Sequence, residues 1–183
     1  MKAVKMVIII LITIVALFFA IYTYFGGFKT ISFYVTDAGG ETLAYKEIKG
    51  DYKQTKEIMN IVYDLLLNDL KIETHKGFGL YYSDPKSVPT DELRSDVGCI
   101  VEDADSTKIE LISQHLKVKI CPKGKYIITE FPNRGFISIV IGIMKVYPAF
   151  NDYIEQNGYK NGPIMEIYDM PNKKIIYRKE IIE

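Results

Sequence analysis

Two cysteines in 183 residues are too few for a disulfide scaffold, thirteen glycines too few for a collagen-like repeat, and a 48% hydrophobic fraction too high for a disordered chain. Net charge is missing too. The 23 Lys and Arg balance 23 Asp and Glu, so there is no basic excess with which to hold nucleic acid by counterion release, and no nucleic-acid partner is expected. His75 and His115 stand alone, without a second His or a Cys at ligand spacing, and no metal site is expected. No glycine-rich phosphate loop and no serine or cysteine nucleophile motif occurs, and no cofactor is expected. Gly39-Gly40, between Phe33–Val35 and Leu43–Tyr45, reads instead as a hairpin turn.

What is present is unevenly distributed. The 23 positions from Met6 to Phe28 carry no charge, while the chain from Lys29 is a slightly acidic, soluble-looking module. Met6 to Phe25 has the ~20 predominantly apolar residues a helix needs to cross a bilayer, with Tyr22 and Tyr24 where interfacial aromatics belong. The competing reading is a cleavable signal peptide. Its apolar core is usually ~7–15 residues, and no small-x-small site follows Ala20. Residues 1–28 are therefore expected to be a transmembrane signal anchor in contact with lipid through residues 6–25. Lys2 and Lys5 before the span oppose only Lys29 behind it, which favours an extracytoplasmic domain by one lysine.

Residues 29–183 are expected to be one domain, since no Ser/Gly/Pro-rich linker divides them. A duplication runs through it, with repeats of about residues 30–103 and 104–183. Placing Pro85 on Pro171 puts Tyr82 on Tyr168 and Leu80 on Glu166. Three- and four-residue spacing of Ile58, Ile61, Val62, Leu65 and Leu66 predicts a helix over 53–70; its counterpart spans 136–156, with Pro148 inside it. Strands are expected at 43–48, 78–82, 97–101, 164–168 and 174–178, with a hairpin over 118–131 broken at Pro122-Lys123-Gly124. The class is α+β, a largely antiparallel sheet with the helices on one face.

Several separated motifs carry a resemblance. Ala44-Tyr45-Lys46, then Tyr81-Tyr82-Ser83-Asp84-Pro85 with Val88-Pro89 and Leu93-Arg94-Ser95-Asp96-Val97-Gly98, then Val146-Tyr147-Pro148-Ala149 and Glu166-Ile167-Tyr168 resemble the DNA gyrase inhibitor-like (GyrI-like) small-molecule-binding family. That family includes effector-binding domains of multidrug-sensing transcription activators. The order of span and domain is similar to its membrane-anchored branch, in which an endoplasmic reticulum autophagy receptor is found. The sequence stops at Glu183, without that receptor's acidic tail and aromatic-x-x-aliphatic motif, so only the anchored domain is expected to carry over. A DNA-binding segment is missing as well. The resemblance implies a groove between two strand-helix-strand-strand repeats, lined by aromatics, with an acidic residue near its centre where Glu166 stands. Some members are hydrolases, and on that analogy Glu166 would act as general base with Tyr168 or Tyr82 as proton donor.

Strand alternation puts Ile164, Glu166 and Tyr168 on one face, Met165 and Ile167 on the other. The wholly apolar pair is expected to pack on the helices. The first set would then line the groove, joined across the pseudo-axis by Phe78, Leu80 and Tyr82. Glu166 becomes the one charge in that patch, where desolvation raises its pKa and a cationic partner is favoured. The competing reading is a solvated face with an ordinary surface carboxylate. Asp84-Pro85 reads as a turn, and Arg94 with Asp96 as a salt-bridged loop anchor. Cys99 and Cys121 read as buried thiols that would pair only in an exported domain. The functional expectation is a membrane-displayed module that binds an amphipathic small molecule, a cationic one being favoured. The alternatives are a membrane-tethered protein adaptor, with a filled groove and an apolar patch elsewhere, and the hydrolase.

Overall fold

The computed structural model describes residues 2–182, so Glu183 lies outside them. The first helix, α1 (Lys2–Tyr24), has no residue buried against protein and a mean hydropathy of 3.0 over its most apolar window. It is long and apolar enough to cross a membrane. Its two threonines hide their hydroxyls by donating to carbonyls one turn back, Thr13 to Ile9 and Thr23 to Phe19.

The rest is one eight-stranded antiparallel sheet with helices on one face. The strands are β1 (Tyr34–Ala38), β2 (Thr42–Lys49), β3 (Lys76–Tyr81), β4 (Arg94–Val101), β5 (Lys117–Ile120), β6 (Gly124–Pro132), β7 (Ile164–Asp169) and β8 (Lys174–Glu180). Their order is β1-β6-β8-β7-β3-β4-β2-β5. Outward from the central β7–β3 pair, the order is symmetric: β3-β4-β2 on one side and β7-β8-β6 on the other. The helices after α1 are α2 (Thr55–Asp64), α3 (Ser106–Ser113) and α4 (Phe136–Asn157). A 3₁₀ turn over Tyr52–Gln54 leads into α2 and a π turn over Leu65–Asp69 extends it, so the continuous apolar spacing of 53–70 is met by three kinds of helical turn. Gly158, in the left-handed conformation, ends α4. Sequence periodicity passes over α3, which has only eight residues; its signal is Asp105, whose carboxylate caps the Lys108 amide.

Two apolar layers fill the space between sheet and helices. Phe131, Val146, Phe150, Ile175 and Tyr177 pack under α4, and Ala44, Val62, Leu66, Cys99 and Ile112 under α2 and α3. A third layer, with Leu43, Tyr45, Phe78, Ile100, Met165 and Ile167, covers the opposite face of the sheet.

Neither expected hairpin forms. β1 pairs with β6, not β2, and β5 with β2, not β6. Tyr34 faces Ile128 and Ala38 faces Gly124; Thr42 then faces Ile120 and Tyr45 faces Lys117, all in one register. The segments 34–45 and 117–128 thus form a single long ribbon, bent at residues 39–41 and 121–123, that ties the two ends of the sheet together. Two hydrogen bonds carry the ladder through the bend: Gly40 N–H to the Cys121 carbonyl at 2.8 Å, and Cys121 N–H to the Glu41 carbonyl at 2.9 Å. Gly39 is required there, because at φ +94° a Cβ would lie 1.8 Å from the Pro122 carbonyl oxygen. The double glycine that resembles a tight turn is the hinge of this ribbon.

Cys99 and Cys121 are both free and buried, but on opposite sides of the sheet, one under α2 and one in the third layer. A disulfide needs Cβ atoms about 4 Å apart and pointing together, so these two cannot pair in this fold.

Candidate functional site

Pairing registers decide which residues share a face, because directly opposed residues in an antiparallel ladder project to the same side. Phe78 faces Ile167, Leu80 faces Met165, and Glu166 lies between Gly79 on β3 and Tyr177 on β8. The expected faces are therefore exchanged. Ile164, Glu166 and Tyr168 face the helices, in the layer beneath α4; Met165, Ile167, Phe78 and Leu80 occupy the third layer on the far side. Tyr82 also leaves the site: its hydroxyl donates to Asp96 at 2.6 Å, and Lys119 bonds to both. The strands alternate as expected. The apolar face is not the helix face here, because both sides of this sheet are covered and a buried polar cluster sits on the helix side.

That cluster is built on Glu166, which is 2% exposed. Tyr168, two residues along the same strand, donates its hydroxyl to Oε2 at 2.5 Å, and Tyr147 of α4 donates to Oε1 at 2.8 Å. Tyr81 and Tyr177 complete the surroundings. The Tyr81 hydroxyl bonds to Thr55 Oγ1 at 3.3 Å and lies over Gly79, where a Cβ would come within 2.6 Å of it. Tyr177 is fully buried, and its hydroxyl has no partner among the described residues. Gly142 admits it beneath α4: a Cβ there would meet that hydroxyl at 2.6 Å. Glycines on the neighbouring strand and helix thus make room for tyrosine hydroxyls around one carboxylate.

Burial pushes the Glu166 carboxyl above its usual range, and the Tyr168 and Tyr147 hydrogen bonds only partly offset it. Both tyrosines are themselves held well above the ordinary phenol value, by burial first and by the Glu166 charge second. They remain neutral donors at physiological pH. No salt bridge to Glu166 occurs among the described residues, so the cluster is one acid with phenolic partners only. An acid so placed gains from any cation brought beside it.

Of the residues expected to line the groove, Glu166, Tyr168 and Ile164 lie together on the helix side. The sequence did not single out Tyr147, Tyr81 or Tyr177 as members of the site. Tyr147 belongs to a helical segment and Tyr177 to a strand two positions from Ile175, and local spacing says nothing about which distant side chain they meet. The solvated-face reading of Glu166 is overturned by its burial. Arg94 and Asp96 belong to strand β4, and the partner of Asp96 is Lys119, not Arg94. Asp84 forms its turn as expected, with its carbonyl accepting from the Ser87 amide.

The opposite face holds a cavity of about 870 Å³ bordered by Ile100, Ile167, Ile176, Glu41 and Arg178. Arg178 is buried there and clasps Glu41 through two hydrogen bonds of 2.7 and 3.0 Å.

A symmetric antiparallel sheet with its helices on one face, holding a buried glutamate among tyrosines, defines an α+β class of domain built on two like halves. The chain belongs to the GyrI-like small molecule binding domain family, whose model matches residues 40–181. It is 31% identical over 134 residues to Testis-expressed protein 264 of Homo sapiens, a match covering 69% of this chain and 41% of that protein. To the Mus musculus homolog it is 29% identical over 157 residues, covering 79% and 48%. The chain thus spans less than half the length of these relatives. Among solved structures the fold is similar to the EcmrR C-terminal domain, at TM-score 0.59 and 10% identity, covering 84% of this chain and 98% of that one. It is also similar to SAV2435 bound to tetraphenylphosphonium, at TM-score 0.56 and 14% identity, covering 82% and 94%.

Proposed function

We propose that this chain is a membrane-anchored binding module whose GyrI-like domain captures an amphipathic cation beside Glu166. The observation that carries the reading is the buried carboxylate with two phenolic donors and no ion-pair partner among the described residues. A lipophilic cation supplies the missing charge and keeps apolar surroundings apolar, while tyrosine faces hold it by quadrupole attraction worth about 0.5–2 kcal/mol each. Tyr147 and Tyr168 close over the acid, so entry requires their rings to turn aside. Binding of tetraphenylphosphonium by SAV2435, a protein of similar fold, supports this ligand class.

The ligand residues proposed are Glu166, Tyr168, Ile164, Tyr147, Tyr81 and Tyr177; Phe78, Leu80 and Tyr82 drop out with the exchange of faces. A hydrolase would retain Glu166 and Tyr168 but not Tyr82. The symmetric strand order supports an internal duplication, in a register that matches Tyr81 rather than Tyr82 to Tyr168, since that pair shares a face. We further propose residues 1–28 as the anchor and 29–183 as the displayed domain, with Lys2 and Lys5 keeping the N-terminus cytoplasmic. Thermal unfolding of the detergent-solubilised chain with tetraphenylphosphonium tests the site. The wild type is expected to be stabilised and E166Q not; equal stabilisation of both, or of neither, defeats the acidic-site reading.

A further inference from the structure

The adaptor alternative asks for an apolar patch away from the groove, and such a patch exists on α4. Phe136, Ile137, Val140, Ile143 and Met144 are 75%, 46%, 38%, 43% and 71% exposed. They recur at three- and four-residue spacing along a side of the helix distinct from the buried Ser138, Gly142 and Val146. Past Pro148 the exposed positions turn polar, with Asn151, Asp152, Glu155, Gln156 and Asn157. Only the first half of the helix is apolar on its outer side.

That half is also the half tied to the end of α1. The Arg134 guanidinium donates to the Tyr24 carbonyl and stacks 4.6 Å from the Tyr24 ring centre. Ser138 donates its hydroxyl to the Phe25 carbonyl at 3.2 Å, and Lys145 its ammonium to the Gly27 carbonyl at 2.5 Å. The segment leaving α1 therefore runs along the first three turns of α4. Gly26 makes this approach possible, because a Cβ there would meet the Phe131 ring at 2.8 Å. Between Phe131 and Phe150 the charged residues are Arg134 and Lys145, both basic.

We propose that the first half of α4 is a second membrane contact, its apolar stripe seated in the interfacial layer of the bilayer that α1 enters. The inference rests on reading α1 as a membrane anchor. A helix pinned beside the exit of a span is held at headgroup level, where exposed apolar side chains enter the acyl boundary and the exposed Arg134 lies among lipid phosphates. The change from apolar to polar past Pro148 follows from distance: the first half is near lipid and the second half is not.

The natural chain has no tryptophan, so single reporters can be read one at a time in the full chain. F136W, M144W, I14W within α1 and Y63W on α2 are reconstituted in vesicles of phosphatidylcholine and phosphatidylserine with brominated acyl chains. F136W and M144W are expected to be quenched, several times more than Y63W and at a shallower depth than I14W. The paired change V140D/I143D should abolish quenching of F136W and leave that of I14W intact, with an unchanged circular dichroism spectrum. If I14W is quenched while F136W and M144W resemble Y63W, the stripe does not touch lipid and the proposal falls while the anchor stands. Failure of I14W itself overturns the anchor reading and the proposal with it. Quenching of F136W that is absent at high protein density and appears only as the protein is diluted into excess lipid assigns the stripe to a second copy of the chain, and also overturns it.

Discussion

Glu166 lowers the stability of the fold when it is ionised, and pH should expose this. Its folded pKa lies above the unfolded value of about 4.3, so folding takes up a proton between the two. Its stabilising effect is fully present below the unfolded value and is lost as pH rises through the folded one. E166Q removes that dependence. The stability of E166Q minus that of wild type should therefore grow by about 1.4 kcal/mol per pH unit across this window and then level off. Urea denaturation from acid to neutral pH measures it, and parallel curves for the two proteins would contradict the burial argument. Y168F and Y147F each remove one donor from the buried carboxylate and should cost about 1–3 kcal/mol at neutral pH, less in an E166Q background. The Arg178–Glu41 pair is a separate ionic feature, with a buried guanidinium and a part-exposed carboxylate. E41Q leaves the guanidinium in place with its charge unmatched, and a loss of about 3 kcal/mol is expected by the same method.

At the scale of elements, the bent ribbon is the least replaceable part of the sheet. G39A places a side chain against backbone in a left-handed conformation and should cost about 2 kcal/mol or more, whereas G124A, at ordinary contact distance from Glu180, should be tolerated. Hydrogen exchange should report the G39A damage in β1 and β5, the strands whose pairing meets at the bend. Most elements were legible from sequence. The α4 helix begins where its apolar spacing begins, and β7 and β8 follow their β-branched runs. Partners were not legible. Phe33–Val35 and Leu43–Tyr45 flank two glycines and read as a hairpin, yet each segment pairs with a strand some 80 residues distant. Turn chemistry describes the bend, and only distant pairing decides whether the chain folds back on itself there.

For the whole molecule, the separation of the two thiols across the sheet has a practical consequence. Cys99 lies beneath α2, with burial pushing its thiol up to about 11, and Cys121 lies on the far side. Both should resist a polar thiol reagent in the native protein and react fully after denaturation, under oxidising and reducing conditions alike; mass spectrometry reads the difference. Protection by the fold therefore makes native thiol labelling a report on burial alone.

The sequence by itself determined the apolar N-terminal helix, the α+β class, the family and the alternation that sets Glu166 apart from its strand neighbours. Each of these depends on composition or on spacing within a few residues. Only the tertiary structure decided which face of β7 meets a helix, and with it which tyrosines surround the acid. Face choice follows from register and helix packing, which join residues as distant as Tyr81, Tyr147 and Tyr177. A strand covered on both sides carries no local signal of which cover is which, because both layers remove its side chains from water equally well.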